Sequence, residues 1–298
     1  RILAGGQSLM AVLNMRLAQP ALLIDISRST ELAAIVVKPD SVRVGAAVTQ
    51  AQLQAHPEVP PLLALAFPFI SHFQIRNRGT VCGSIAHADP SAELPLCLVA
   101  LKGTVHLRSA RGARQVPAHD FFTGLLSTAR RADELIEAVS FPRPVPGESF
   151  GFAEHSRRHG DFALCAVAVV VNAHGLRVAV GGLGDRPHAC ELPSLSGAEL
   201  DEELNELAWS LDVRDDPYDL ANPSSVVKTL NLPADGSLLP AGITKKLKSG
   251  LTEQMAALGC SRETKDIGIV RILSVTPAAP KYGDGNKMYT RLDVSMQV

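Results

Sequence analysis

The sequence is poor in aromatic residues and has no excess of positive charge. Only 4% of its 298 residues are Phe, Trp or Tyr, and there is a single Trp, so a platform of rings that stacks on sugars or bases is not expected. The 29 Lys and Arg residues are balanced by 30 Asp and Glu residues, which gives a formal net charge of -1. Because nucleic acids and anionic membrane surfaces attract basic proteins, this balance argues against either as the main partner.

Cysteines and long apolar runs are also scarce. The five cysteines are odd in number, widely spaced and form no C-x-x-C pair, so they indicate no disulfide framework and no zinc or iron–sulfur site. We therefore expect no metal ligands in this chain and a reducing, cytoplasmic setting. The longest apolar run, Phe162–Val171, has the length of a strand, and no segment reaches the ~18 apolar residues of a membrane span.

Short β-rich runs alternate with helical patterns along the chain, which predicts an α+β fold. Turn signals join neighbouring strands in three predicted hairpins, at residues 33–48, 104–116 and 164–180. Helices are predicted at four places, residues 9–18, 60–70, 91–101 and 197–211.

The chain divides where two prolines and a glycine fall between Arg143 and Gly147, a composition typical of a domain boundary. We predict a first domain over residues 1–145 and a smaller second domain over residues 148–215. Residues 216–298 stay unassigned. This tail contains one candidate helix and two candidate strands, at residues 249–258, 267–275 and 290–298.

A pair of glycines near the N-terminus has the form of a phosphate-binding turn. Gly5 and Gly6 follow a short strand and precede a helix that Ser8 can cap. Without a Cβ, successive backbone N–H groups lie open to an anion. The spacing is neither the Rossmann G-x-G-x-x-G nor a Walker loop, which needs a Lys. A plain strand–turn–helix connection stays open as the alternative.

A second stretch, R-N-R-G-T-V-C-G-S at 76–84, combines two glycines with a Thr and a Ser that offer donors to phosphate. Carboxylates follow at Asp89 and Glu93, and a carboxylate can accept hydrogen bonds from ribose hydroxyls. Two phosphate-type loops in one chain favour a dinucleotide over a single phosphate. The alternative is a polar surface loop in which Asp89 opens a helix.

The residue types of a third segment, R-R-H-G-D-F-A at 157–163, indicate by themselves a charged, solvent-exposed run with Phe162 in the core. The three segments A-G-G-Q-S-L-M (4–10), R-N-R-G-T-V-C-G-S-I-A-H-A-D-P-S-A-E-L-P (76–95) and R-R-H-G-D-F-A occur together in one family. Over roughly its first 210 residues the chain resembles the FAD-binding medium subunits of molybdenum hydroxylases. That family includes the medium subunits of carbon monoxide, nicotine and caffeine dehydrogenases and the flavin domain of xanthine dehydrogenase.

The resemblance implies a flavin domain of the vanillyl-alcohol-oxidase/p-cresol-methylhydroxylase type, followed by a smaller C-terminal α+β domain. It places the FAD pyrophosphate on a first set of residues, Ala4, Gly5, Gly6, Gln7, Ser8 and Leu9. A second set binds the rest of the nucleotide and comprises Thr80, Val81, Cys82, Gly83, Ser84, Asp89 and Glu93. Apolar contacts to the cofactor fall on Ile70 and Ile136, and Phe162 lies where relatives place an aromatic or aliphatic residue beside the isoalloxazine ring.

Two features depart from the family pattern. Cys82 stands where many relatives have Gly, and we interpret its thiol as structural. The strand and helix that the family places before the A-G-G turn are absent from the sequence, so we expect a missing N-terminal segment.

The implied complex divides its chemistry among cofactors. A molybdenum–pterin large subunit hydroxylates the substrate, 2Fe-2S clusters of a small subunit feed the FAD of this chain, and the FAD passes electrons to an external acceptor, in a dimer of heterotrimers. No Ser–His–Asp or Cys–His pattern is evident, so we expect no catalytic acid, base or nucleophile here. Two alternatives stay open: a stand-alone flavin oxidase of the same fold and an assembly subunit without FAD.

Overall fold

The computed structural model describes residues 1–195, 198–210, 271–278 and 290–297. It is a mixed α/β structure, and it begins with a small unit in which β1 (Ile2–Leu3) and β2 (Ile24–Asp25) pair in parallel around helix α1 (Leu9–Asn14). Helix α1 is shorter than the predicted 9–18, because Met15 caps it and Arg16 adopts a positive φ of 57°. Ser8 is the N-cap residue as predicted, but its side chain makes no capping hydrogen bond.

An antiparallel five-stranded sheet follows, with the order β3-β4-β9-β5-β6. Its strands are β3 (Ile35–Val37), β4 (Ser41–Gly45), β5 (Thr104–Ser109), β6 (Gly112–Pro117) and β9 (Leu135–Pro142). A short pair, β7 (Phe122–Gly124) and β8 (Ser127–Thr128), lies between β6 and β9 along the chain. The predicted hairpins at 33–48 and 104–116 are confirmed.

Short helices pack beside this sheet. They are α2 (Gln50–Gln54), α3 (Pro61–Ala66), α4 (Phe73–Arg76), α5 (Val81–His87), α6 (Glu93–Ala100) and α7 (Ala118–Phe121). Helix α2 begins with a capping box between Thr49 and Gln52. Every residue of α6 is buried, as expected of a helix that is apolar on all sides.

A second, six-stranded sheet has the order β13-β12-β11-β10-β15-β14. Its strands are β10 (Ser149–Ser156), β11 (Ala163–Asn172), β12 (Gly175–Gly181), β13 (His188–Pro193), β14 (Arg271–Ala278) and β15 (Thr290–Gln297). The predicted hairpin at 164–180 is confirmed, and so is the helix near 197–211, which is α8 (Ala198–Ser210). Both strands predicted in the tail are present, whereas the candidate helix at 249–258 lies outside the described residues.

One hydrophobic core unites the two sheets. It contains Val44 and Val139 of the first sheet, Leu96 of α6, and Phe150 and Ala166 of the second sheet. A separate cluster on the other face of β11 packs against α8. Strand β11 is therefore covered on both faces, which explains why its sequence is a continuous apolar run. The connection at 143–148 runs between the two sheets, but because the core is shared, the two-domain division stays a prediction.

Candidate functional site

A cavity of about 500 Å³ opens beside the first glycine pair. It is lined by Leu3, Ala4, Gly5, Gly6, Gln7, Met10, Ala11, Asn14, Asp25, Ser27 and Arg78. Four residues predicted from the first motif thus share one cavity with Arg78 of the second motif. The two remaining residues of the first motif, Ser8 and Leu9, are at the start of α1.

Backbone contact joins the first and second motifs. A Cβ atom on Gly5 would lie 2.7 Å from the Cα atom of Gly79 and would overlap the carbonyl oxygen of Arg78. Gly6 has a φ of +74°, which side chains other than Gly rarely adopt. Both glycines are therefore required by the local structure, and the close approach places the two motifs at one mouth of the cavity.

The second motif is more helical than the sequence indicates. Residues 81–87 form α5, and Thr80 caps it by accepting a hydrogen bond on Oγ1 from the backbone N–H of Gly83 at 3.0 Å. A Cβ on Gly83 would lie 2.6 Å from that Oγ1 atom, so the cap requires the glycine. The expectation of an open polar loop is wrong here, because the Thr cap starts a helix immediately. Ser84 lies in the same first turn.

Cys82 is part of the core rather than of the surface. Its Sγ donates to the carbonyl oxygen of Val44 at 3.5 Å, and burial raises the pKa of the thiol to about 12. A thiol held neutral in this way is a poor nucleophile. Val81 beside it is fully buried.

Arg76 fixes the segment that precedes α5. Its Nη1 donates to the carbonyl oxygens of Ile70 and Ser71, at 2.6 and 2.9 Å, and its Nε donates to Gln54 at 3.1 Å. Ile70, a predicted cofactor contact, is 6% exposed. The guanidinium group of Arg76 thus holds the turn that carries Ile70, while Arg78 lines the cavity.

The two predicted carboxylates differ in environment. Asp89 accepts a hydrogen bond on Oδ1 from the backbone N–H of Ser91 at 2.9 Å, which is a local turn. Glu93 lies in the first turn of α6 and is 8% exposed. Burial raises its pKa to about 7, with a smaller contribution from Asp89 in the same direction and an opposing one from Arg76. Burying the carboxyl group of Glu93 therefore costs the folded protein free energy.

The third motif contacts the segment that leads into the second motif. A Cβ on Gly160, which has a φ of +87°, would lie 2.8 Å from the ring of His72. Phe162 in the same turn is 69% exposed, so the alternative that placed it in the core is wrong. Ile136 is buried in β9. The first motif therefore contacts the second, and the third contacts the segment just before the second, although many residues separate them in the sequence.

Two buried oxygen atoms beside these motifs have no hydrogen-bond partner in the described part of the chain. They are Oε1 of Gln50 and Oε2 of Glu154. Gln50 lies against Gly79, because a Cβ there would be 3.4 Å from the Gln50 side chain, and its backbone N–H donates to the Gly79 carbonyl at 2.8 Å. Buried polar atoms are nearly always bonded, so each of these two oxygen atoms is open to a further hydrogen-bond donor.

Sequence reasoning missed both residues. Gln50 stands in an ordinary capped helix, and Glu154 is one acidic residue in a strand. The signal that was available for Glu154 is a carboxylate within the apolar run F-G-F-A-E at 150–154. A cavity, a glycine contact and orphaned polar atoms together fit a bound dinucleotide.

The described residues contain no group of three or more His, Cys, Asp or Glu that could hold a metal ion. Their cysteines, Cys82, Cys97, Cys165 and Cys190, form no disulfide with one another. None of their helices combines the length and apolar character needed to cross a membrane.

Comparison with known proteins gives matches along most of the chain. Residues 1–144 match the family described as the FAD binding domain in molybdopterin dehydrogenase. The chain is 42% identical over 220 residues to the nicotine 6-hydroxylase medium subunit of Paenarthrobacter nicotinovorans, covering 70% of this chain and 76% of that one. It is 36% identical over 202 residues to the caffeine dehydrogenase subunit beta of a Pseudomonas species, covering 64% and 68%.

Solved structures agree with these relatives. Quinoline 2-oxidoreductase from Pseudomonas putida superposes with a TM-score of 0.68 at 33% identity, covering 73% of this chain and 81% of that one. Carbon monoxide dehydrogenase from Hydrogenophaga pseudoflava, in a form that lacks the Mo-pyranopterin moiety, superposes with a TM-score of 0.62 at 28% identity, covering 88% and 90%.

Proposed function

The chain belongs to the family of FAD-binding medium subunits of molybdenum hydroxylases, and from this premise we propose how it holds its cofactor. The FAD pyrophosphate lies across the contact between Gly5 and Gly79, in the cavity that both motifs share. This contact is the observation that carries the proposal, because it brings two donor-rich backbone segments within reach of one dinucleotide.

Each predicted residue then has a role towards the FAD. The first motif, Ala4, Gly5, Gly6, Gln7, Ser8 and Leu9, supplies backbone N–H groups to phosphate. The second, Thr80, Val81, Cys82, Gly83 and Ser84, supports the cofactor from the first turn of α5 beside Gly79, with Val81 and Cys82 acting from the core. Asp89 and Glu93 are the carboxylates for hydroxyl groups. Ile70, Ile136 and Phe162 supply apolar surface for the ring system. The exposed ring of Phe162 supports this assignment, because an aromatic side chain without a protein partner is available for stacking.

The bound FAD supplies an isoalloxazine ring that accepts electrons and passes them on. The chain's own residues bind and orient it and keep water from its buried side. We propose that electrons arrive from the iron–sulfur clusters of a partner subunit and leave to an external acceptor.

We further propose the vanillyl-alcohol-oxidase/p-cresol-methylhydroxylase type for the flavin domain, a smaller C-terminal domain, and a cytoplasmic dimer of heterotrimers with molybdenum–pterin and 2Fe-2S subunits. Support comes from the names of the relatives, which are medium subunits or chains of dehydrogenases and hydroxylases, and from the described cysteines, which form no disulfide with one another.

The test substitutes Gly5 by Ala in the full chain and measures its FAD content after purification. The added methyl group collides with backbone of the second motif, so we expect FAD to be lost while the chain stays folded. Gly112→Ala is the control: it strains the backbone at a φ of +132°, but its Cβ meets nothing within 4 Å, so it tests whether a general loss of stability removes FAD. Full FAD content in Gly5→Ala would place the cofactor elsewhere.

A further inference from the structure

Two carboxyl groups lie within electrostatic reach of each other: the buried Glu93 on α6 and the partly buried Glu154 on β10, whose Oε2 atom is withdrawn from solvent. Among the described residues, neither takes part in an ion pair. Burial raises the pKa of Glu154 to about 8, and the neighbouring Glu93 adds to that effect. Two such groups do not both ionise at neutral pH, so one of them keeps a proton.

The position of Glu154 on its strand places it towards the cofactor motifs. Phe152 and Glu154 are two residues apart on β10 and so share a face of the sheet. The ring of Phe152 packs on Phe69 with 5.3 Å between centroids. Phe69 immediately precedes Ile70, a proposed contact of the FAD. The face of β10 that bears Glu154 is therefore the face turned to that contact.

The hydrogen bonding of the pair is incomplete. Glu93 accepts a bond from its own backbone N–H. Oε2 of Glu154 is buried and has no partner in the described part of the chain. A protonated carboxyl group carries one O–H donor, whereas an ionised one carries none. A ligand atom that accepts a hydrogen bond would satisfy this oxygen when it holds the proton.

We propose that Glu154 is a further cofactor-binding residue, whose protonated carboxyl group donates a hydrogen bond to the flavin nucleotide while Glu93 carries the negative charge of the pair. This inference rests on the proposed function, because it takes FAD as the ligand. It predicts that the chain binds FAD together with one proton. Ionisation of both carboxyl groups removes the donor and puts a second negative charge beside an anionic nucleotide.

Few other charged groups act on the pair. Asp89 raises the pKa of Glu93, and Arg76 lowers it. Arg76 already donates to three acceptors, so it does not neutralise Glu154. The thiol of Cys97, farther along α6, is kept neutral because burial raises its pKa.

The remaining elements packed against the pair contribute little charge. Helix α3, with the sequence P-L-L-A-L-A, has no titratable residue, and the cross-strand partner of Glu154 on β11 is Ala166. His155 next to Glu154 has its pKa lowered by burial. Helix α5 has His87 in its last turn, and Cys82 of α5 is a buried neutral thiol.

The experiment titrates FAD into the deflavinated full chain from about pH 6 to about pH 9 and follows flavin fluorescence. In the wild type we expect a constant Kd at low pH and then a weakening of about tenfold per pH unit once the proton of the pair is lost. Glu154→Gln keeps an N–H donor of similar size but does not titrate, so we expect the weakening of about tenfold per pH unit to be lost in this variant. Glu31→Gln, the same change at an exposed residue, keeps the wild-type profile.

A second readout needs no FAD. A carboxyl group with a raised pKa binds more protons in the folded chain than in the unfolded chain, so the free energy of unfolding falls as pH rises from the usual pKa of about 4.5 towards about 8. Glu154→Gln removes the part of this fall that Glu154 contributes, while the part due to the raised pKa of Glu93 remains. If Glu154→Gln does not fold, Glu93→Gln serves instead. It removes the neighbouring negative charge, so the loss of FAD affinity moves to lower pH if our proposal holds. A loss that stays in place or disappears would overturn the role of Glu154.

The outcomes separate the two hypotheses. A wild-type Kd that is unchanged from about pH 6 to about pH 9, or a Glu154→Gln variant that retains the wild-type pH dependence in both readouts, would overturn the role of Glu154. Failure of the wild type to bind FAD at about pH 6 would instead overturn the proposed function.

Discussion

Gly160 packs directly against the imidazole ring of His72, so closely that a Cβ atom would lie 2.8 Å from the ring. This contact holds the turn with Phe162 beside the segment that leads into the second glycine motif. We expect Gly160→Ala to displace the turn and to lower FAD affinity, because both the contact and the φ of +87° oppose a side chain. The double variant with His72→Ala recovers part of the affinity by making room. Affinity that is equal in single and double variants would mean that the contact does not position the turn.

Gly6 offers a test of charge at the first motif. Gly6→Asp and Gly6→Asn introduce side chains of nearly equal size at a φ of +74°, a conformation that both residues tolerate better than most. We expect Gly6→Asp to abolish FAD binding, because its carboxylate repels the pyrophosphate, and Gly6→Asn to retain a measurable part. The measurement is the ratio of flavin to protein after purification, and stoichiometric FAD in Gly6→Asp would disprove the assignment of this turn.

Glu93→Ala removes the buried carboxylate that we assign to the nucleotide. Loss of one charge-assisted hydrogen bond weakens binding by about 1.5–3 kcal/mol, roughly ten- to a hundred-fold. Titration of the deflavinated chain with FAD at a pH where Glu93 is ionised measures the change. Because Asp89 already bonds the Ser91 backbone N–H, Asp89→Ala should affect FAD affinity less. If Asp89→Ala weakened FAD binding more than Glu93→Ala, Asp89 rather than Glu93 would be the carboxylate that bonds the nucleotide.

Glu134 gives the chain an acid-dependent contribution to stability. Arg114 donates to both oxygens of its carboxylate, at 2.6 and 2.8 Å, and lowers its pKa to about 2. Because the pKa in the folded chain lies below the usual value of about 4.5, the ionised carboxylate stabilises the fold fully at pH values above 4.5. This contribution is lost as pH falls towards about 2. Glu134→Gln should therefore lower Tm at neutral pH and flatten the decline of Tm with acid. The measurement is Tm by thermal unfolding between neutral pH and about pH 3. If the ion pair contributed nothing, Tm would decline equally steeply with acid in the variant and in the wild type.

The division of chemistry among subunits predicts that this chain alone does not turn over substrate. Expressed alone, it should bind FAD but not support substrate-dependent dye reduction, whereas coexpression with its genetic neighbours should restore that activity. Full turnover by the isolated chain, with no molybdenum or iron present, would favour the stand-alone oxidase. A wild-type chain that carries no flavin in an otherwise active complex would favour the FAD-free assembly subunit.

The sequence by itself determined the local elements and the family. Alternation of apolar residues and turn signals at Lys38-Pro39-Asp40 and Ala110-Arg111-Gly112 predicted hairpins that the structure contains, because these signals act over a few residues. The three motifs identified the family because their order and spacing are read along the chain. Helix ends were less accurate: α1 ends at Asn14 and α5 begins directly at Val81, where backbone angles and a side-chain cap decide the limits.

Only the tertiary structure decided which residues of distant segments meet. The approach of Gly5 to Gly79, the packing of Gly160 on His72 and the burial of Glu154 near Glu93 each join segments that are far apart in sequence. No local pattern encodes such contacts, since they depend on how α6 and the two sheets pack around one core. The same packing withdraws Glu154 from water, and that withdrawal, rather than the presence of a glutamate in the sequence, raises its pKa.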